Sequence, residues 1–461
     1  MSHLTRRELL LGSSATLVAA SAGAFAAGSA SANAHSLTLS HLDYGILPGT
    51  VTRCMLSFAP DGPPPVLRVK QGEMAAIVVT NALDEASVVH WHGLRIANGM
   101  DGVPYLTQYP IGAGEKFRYA FTPPDAGTFW YHPHCNTLEQ MARGLTGVLI
   151  VEEPTDPGFD SDLPLNIRDF RLGGDGQFIS LFKARSAARG GTLGTVSTVN
   201  WKPAPDFDLQ AGSLVRLRLA VTDVTRVGSY EIEGGEAMVI AIDANPLPVP
   251  VPARGIELSP GQRADIALRV PDREEDAVRL VLKRKFDQKV IARFLPRGAS
   301  VKRSLNELVP LQPNPVPRPD LNNAEVLDFI FGWSPEGDAP QASICGTLGY
   351  TFWSINRKAW PGDVPGPFDP LAVLKTGKTY VLRLRNETPN DHPIHLHGVS
   401  FHLLRSNKRK LAPHVTDTAL LRSQETMEVA LVADNPGDWA FHCHVIEHQK
   451  TGLAGFLRIE A

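Results

Sequence analysis

Ten of the fifteen histidines in this chain fall into four short clusters: His90 and His92; His132 and His134; His392, His395 and His397; His442, His444 and His448. In an extended strand residues i and i+2 face the same side, so each His-x-His aims two imidazoles in one direction. Single histidines are more often solvated or satisfied within a core, and His3, His35, His41, His402 and His414 are read that way. Imidazoles gathered with a thiolate suit zinc, copper or iron, whereas carboxylate-rich sets suit harder ions. The thiol here is Cys443, flanked by His442 and His444. On a strand it points opposite to both, so one segment can serve two metal centres, one on each face. His392, three residues before His395, and His448, five after Cys443, are the spare imidazoles for the sulfur side. Two histidines and one cysteine make the trigonal set of an electron-transferring copper site. A hydrolytic zinc site would need an open coordination position and a carboxylate base, and the chain has no HExxH sequence or equivalent.

The elements that must carry these side chains repeat along the chain. Gly72 is followed by the alternating run Ile77 to Asn81, and His90 comes nine residues after Asn81. Gly377, the run Val381 to Asn386, and His395 obey the same spacing. A second pair of segments matches as well, Gly127 to His134 and Gly437 to His444, each followed by a Gly-Leu-x-Gly strand from Gly144 or Gly452. Between the two copies lies a degenerate third: Gly212 leads into Val215 to Leu219, but Tyr230 stands where the outer copies have His90 and His395. Period-2 runs bounded by glycine and proline predict strands of two-sheet sandwiches. Proline-dense linkers near Glu153 to Pro157 and within Pro310 to Pro319 divide the chain into 35–155, 156–315 and 316–461. The fold expected is all-β, three sandwich domains in tandem, the middle one without ligands.

Composition agrees. The 461 residues are 43% apolar and 20% charged with net charge −3, and glycine (40) and proline (37) suit many short strands. At roughly 100 to 200 residues per domain, about three domains are expected, each able to bury a core. The balanced charge offers no basic field for nucleic acid or an anionic membrane. Residues 1–34 read as a signal peptide: Arg6 and Arg7, then Leu9 to Leu11, an alanine-rich run, and the small-x-small site Ala32-Asn33-Ala34. The paired arginines resemble the twin-arginine export signal, which makes that machinery a partner and places the chain in the periplasm or outside the cell. The apolar run is short for a membrane anchor, and none is expected.

Taken together, these motifs resemble those of the multicopper oxidases, specifically three-domain laccase-like enzymes. The carriers are His90-Trp-His92-Gly93, His132-Pro-His134, His392-Pro-Ile-His395-Leu-His397-Gly398 and His442-Cys443-His444 with His448 and Leu453, together with the middle-domain stretch Pro260-Gly-Gln-Arg263-Ala-Asp265. The resemblance implies cupredoxin-like Greek-key domains and four copper ions. The type 1 ion would take His392, Cys443 and His448; the type 2 ion His90 and His395; the type 3 pair His92, His132, His134, His397, His442 and His444. Single electrons would leave a small reducing substrate at the type 1 site, and dioxygen would be reduced to water at the three-copper cluster between the first and third domains. Asp101 occupies the position of the family's proton-handling aspartate. A monomer is expected.

The chain departs from the family pattern at three places. Leu453 stands where many bacterial members have an axial methionine; leucine cannot ligate, which should raise the type 1 potential, and it also suits the core of the last strand. Gln449 replaces a glutamate that relays protons, and with 442–448 read as a strand, Glu447 points elsewhere. The seven methionines are scattered, unlike the methionine-rich insert of the family's cuprous oxidases. Phenols and aromatic amines are therefore the default donors. An exported cuprous or ferrous oxidase is the alternative, and the complete ligand set disfavours a non-catalytic copper-binding or cell-envelope scaffold. Cys135 follows His134 but lacks partner histidines for a type 1 role. Cys54, Cys135 and Cys345 are free or bridged, and their connectivity is not readable.

Overall fold

The computed structural model describes residues 34–461 apart from 286, 334 and 337–339. The export signal expected over 1–34 thus lies, save for Ala34, outside the described residues. The alternating runs do form strands, which pair into six sheets among the described residues, two for each third of the chain. In each third the first long strand pairs in parallel with the strand after the repeat glycine: Ala34–Tyr44 with Ala75–Asn81, Ser161–Phe170 with Leu214–Val221, and Glu325–Trp333 with Thr379–Asn386. Apolar side chains from both sheets fill each sandwich: Ile77, Tyr119 and Leu149 in the first, Leu217, Ile266 and Phe294 in the second, Leu382, Trp439 and Phe441 in the third.

The histidine motifs lie on the other sheet of the outer sandwiches. Val89–His92 pairs antiparallel with Gly127–Pro133, setting His90 opposite His132. His392–Leu396 pairs antiparallel with Gly437–Cys443, setting His395 opposite His442 and Ile394 opposite Cys443. Two equivalent registers therefore present two histidine pairs toward one another.

The middle sandwich joins them through its polar face. In Leu214–Val221 the period-2 pattern sends Leu217 and Leu219 into the core and Arg216 and Arg218 outward. That outward face is covered by the first domain, so both arginines are buried. Arg216 pairs with Asp265 (2.6 Å) and Glu153 (2.7 Å), Arg218 pairs with Asp162 (2.6 Å), and Thr128 of the first domain donates to Asp265 (2.5 Å). Tyr230 is packed in the middle core, at the repeat position where the outer copies have His90 and His395.

Helices are short: Thr137–Arg143, Ala184–Ala187 and Ile446–Lys450. The last corrects the strand reading of 442–448, because the chain turns helical after Val445 and brings His448 back beneath Cys443. No helix among the described residues is long and apolar enough to cross a membrane. Cys135 and Cys345 form a disulfide between the first and third domains, and Cys54 is free and exposed.

Candidate metal centres

On the sulfur face of the strand Gly437–Cys443, Cys443 Sγ lies 3.6 Å from Nδ1 of both His392 and His448, and those nitrogens are 3.1 Å apart. All three residues are buried. The remote nitrogens are spoken for: His392 Nε2 lies 2.9 Å from Thr388 Oγ1, and His448 Nε2–H donates to the carbonyl of Arg189 (2.6 Å). A carbonyl can only accept, so His448 Nδ1 is left with its lone pair facing the sulfur. Burial pushes the Cys443 thiol up and His448 down to about 3. The imidazole is therefore neutral, as a ligand must be, and the thiol keeps its proton until a metal ion displaces it. Leu453 packs in the same core cluster as Cys443, and its backbone carbonyl accepts from Cys443 N–H (3.0 Å).

On the opposite face eight imidazoles converge, all buried. One nitrogen of each of several rings is fixed by an acceptor. His90 donates from Nδ1 to the Asp101 carbonyl (2.8 Å), His132 to Pro133 (3.0 Å), His395 to Asp417 (2.9 Å) and His442 to Cys443 (3.0 Å). His397 Nδ1 lies 2.9 Å from Asp101 Oδ2, and His92 Nε2 lies 3.3 Å from Asp417 Oδ1. The other nitrogens face the interior. His397 and His134 Nε2 lie 3.0 and 3.4 Å from His442 Nε2. His90, His132 and His395 Nε2, His92 Nδ1 and both nitrogens of His444 are buried without a hydrogen-bond partner. Buried polar atoms are rarely left so, and here they are lone pairs aimed into a shared space. Burial, with neighbouring imidazoles adding, holds His92, His132, His134, His397 and His444 well below the usual range and His442 at about 3. Neutral imidazoles, preset tautomers and unpartnered lone pairs fit metal ions on both faces of the strand, and the softness of the thiolate with imidazoles fits copper.

Several supporting residues have no motif of their own. Asp417 contacts His92 and His395 and is gripped by Arg263 through two bonds, 2.9 and 2.7 Å. Burial raises its carboxyl, but Arg263 outweighs this and leaves it well below the usual range, so it is a fixed negative charge. Asp243 also touches Arg263 (3.1 Å), and burial pushes it up to about 7 against that cation. Gly261, at φ +93°, lies against the rings: a Cβ there would stand 3.1 Å from His444 and His92. The sequence held a clue to Arg263 and Gly261, within the Pro260 to Asp265 stretch, and none to Asp417.

Asp101 is buried at the end of the single turn Asn98–Met100 and touches both His90 and His397. Gln449 Nε2 lies 3.3 Å from His134 Nε2. It lines a cavity of about 20 Å³ with His134 and His442, room for about one water, beside the Asp363–Lys450 ion pair. Glu447 is not near this cavity; it is buried and accepts from the backbone of Thr192. The histidines set aside in the sequence are satisfied elsewhere: His35 by Arg68, His41 by Asp84, His402 by Pro317 and His414 by Ala412, with His3 outside the described residues.

Known proteins with the same arrangement are multicopper oxidases. Family models described as multicopper oxidase match residues 45–156 and 346–460. The crystal structure of a multi-copper oxidase from Pseudomonas thermotolerans is 38% identical, covers 94% of this chain and 100% of its own, and superposes with a TM-score of 0.84. That of a multi-copper oxidase from Pseudomonas parafulva is 37% identical over 92% and 99%, with a TM-score of 0.80. The multicopper oxidase MmcO of Mycobacterium tuberculosis is 27% identical over 85% of this chain and 80% of its own length. Likeness of this extent, on a chain that holds one thiolate set and eight converging imidazoles on opposite faces of one strand, places the protein in the multicopper oxidase family.

Proposed function

We propose that the protein takes single electrons from phenols or aromatic amines and reduces dioxygen to water, with four copper ions: one at His392, Cys443 and His448, one at His90 and His395, and a pair shared by His92, His132, His134, His397, His442 and His444. The observation that carries this reading is the strand Gly437–Cys443 leading into His444, which places Cys443 on one face and His442 and His444 on the other. Copper held by His392, Cys443 and His448 would supply one-electron acceptance, and copper held by the eight imidazoles would supply the four-electron reduction of dioxygen. The chain's own residues do the rest. Cys443 is covalently continuous with both neighbouring histidines, a through-bond link between the two sets. Asp417, pinned by Arg263, keeps His92 and His395 oriented. Asp101, in contact with both His90 and His397, is the carboxylate placed to pass protons destined for product water. Overall, four phenols and one dioxygen give four phenoxyl radicals and two waters.

The scattered methionines favour organic donors over copper(I). The Cys135–Cys345 disulfide supports residence outside the cytoplasm, with twin-arginine export of the folded chain as the route. Cys443→Ser is the test. The variant should bind three copper ions per chain where the wild type binds four, lose the intense visible absorption of thiolate-bound copper, and consume no oxygen with a phenol. Full absorption or oxygen uptake in the variant would overturn the assignment.

A further inference from the structure

The nitrogen of His448 that would face an incoming donor is not open. Its Nε2–H is bonded to the carbonyl of Arg189 at 2.6 Å, and Arg189 belongs to the middle domain. The covering segment runs from Phe182 to Thr192 and includes the short helix Ala184–Ala187. It is held from below: Trp353 Nε1–H donates to the Ala187 carbonyl (2.9 Å), Thr192 N–H donates to Glu447, and Phe182 lies 5.7 Å from the Tyr350 ring. None of these anchors uses the segment's cations. Lys183, Arg185 and Arg189 are exposed, and none has a carboxylate within ion-pair distance among the described residues. On its flanks Arg171 donates to the Ser180 and Leu193 carbonyls, while Arg226, which donates to that of Gly194, is balanced by the acidic pair Asp169 and Asp223. The carboxylates nearby are turned away: Glu447 is buried beneath Thr192, and Asp169 is shared by Arg226 and Arg284.

We propose that this segment is the surface on which the reducing substrate docks, and that it selects anionic aromatic donors, such as phenols bearing a carboxylate, over neutral phenols and over metal cations. The proposal rests on the oxidase reading above and names the substrate class for its electron-accepting site. Because the Arg189 carbonyl occupies His448 Nε2, the donor does not bond to the imidazole; it lies outside and gives up its electron across the Arg189 peptide and the hydrogen bond. Three unpaired cations within seven residues attract an anion and repel copper(I) or iron(II). Guanidinium groups match carboxylate geometry, and the exposed Tyr350 ring, 5.3 Å from that of Phe352, offers a flat neighbour for an aromatic donor. Each phenol loses one electron to the chain and its hydroxyl proton to solvent. Four electrons and four protons, with one dioxygen, make two waters.

Sinapate and its methyl ester share one phenol and differ in charge, so their kcat/KM ratio on the copper-loaded protein reads the selection directly. At low ionic strength the wild type should favour the acid by about tenfold, and the advantage should shrink as salt is added. Substituting Lys183→Ser, Arg185→Ser and Arg189→Ser together should bring the ratio close to one. Since the intrinsic reactivities of acid and ester are common to both proteins, the change in ratio belongs to the segment. Cinnamate, which has no phenol to oxidise, should bind the wild type by calorimetry and bind the triple variant at least about tenfold more weakly. An unchanged ratio in the variant, equal cinnamate affinities, or copper(I) or iron(II) oxidised more efficiently than sinapate would overturn the proposal. Absence of oxygen uptake with both acid and ester would overturn the oxidase reading instead, and the cinnamate titration would still decide the docking surface.

Discussion

Arg263 of the middle domain and Asp417 of the third form a fully buried, two-bonded ion pair at 2.9 and 2.7 Å, and the same Asp417 touches His92 of the first domain and His395 of the third. The middle domain thus fixes, through Asp417, the orientation of imidazoles from both of its neighbours. Arg263→Met leaves Asp417 buried and unpaired, which should cost about 3–5 kcal/mol of stability. It should also lower copper content at the histidine cluster while the visible absorption of the Cys443 site persists. Metal analysis alongside thermal unfolding checks both, and Arg263→Lys, which lacks the two-pronged geometry, should rescue only partly.

Asp101→Asn keeps the size of the side chain but removes an oxygen able to carry a proton between His90 and His397. Steady-state oxygen uptake should fall on the order of a hundredfold. Anaerobic bleaching of the visible absorption by a phenol should keep its wild-type rate, because that step involves only the opposite face of the strand. Equal loss in both assays would show a general structural role for Asp101.

The Cys135–Cys345 bridge closes a loop spanning 210 residues and ties the segment after His134 to the third domain. Replacing both cysteines with serine should lower stability by about 3–5 kcal/mol, the range for a long closed loop. The eleven residues proposed as copper ligands are untouched, so copper stoichiometry in the folded variant should equal that of wild type. Calorimetric unfolding of the two proteins measures the first effect.

Acid should loosen the junction between the first two domains at Asp265. Burial raises its carboxyl, but Arg216 and Arg218 outweigh this and hold it below the usual range. A carboxylate depressed in the folded state adds stability that is complete above its unfolded pKa of about 3.9 and is lost as pH falls through the folded value. Arg216→Met should therefore be about 3 kcal/mol less stable than wild type at pH 7, with the gap narrowing below about pH 4. Denaturant unfolding at the two pH values would show this convergence.

The convergence of the clustered histidines was legible because a strand's period of two turns His-x-His and His-Cys-His into statements about faces, whereas the register of His90 with His132 and His395 with His442 pairs segments about 40 to 50 residues apart and had no local mark. The repeat spacing likewise exposed three β-sandwiches, including one with Tyr230 where the outer copies have His90 and His395. Other features were not legible because they are contacts between distant parts of the chain. Nothing local marks Asp417 as the partner of Arg263, or Cys345 as that of Cys135. The cover over His448 comes from Arg189, 259 residues earlier. The helix Ile446–Lys450 was missed because five residues are too few to show a period of 3.6, and its turn is imposed by packing around His448 and Leu453.

His134 and His442 stand 308 residues apart, yet their ring nitrogens meet at 3.4 Å. At ribosomal rates of about 5–20 residues per second, tens of seconds separate the emergence of the first imidazoles from that of their partners. Throughout that interval the nascent chain carries four of the eight converging imidazoles and cannot assemble the buried cluster. A chain cut short before His442 carries the first imidazoles without the partners they meet in the folded protein.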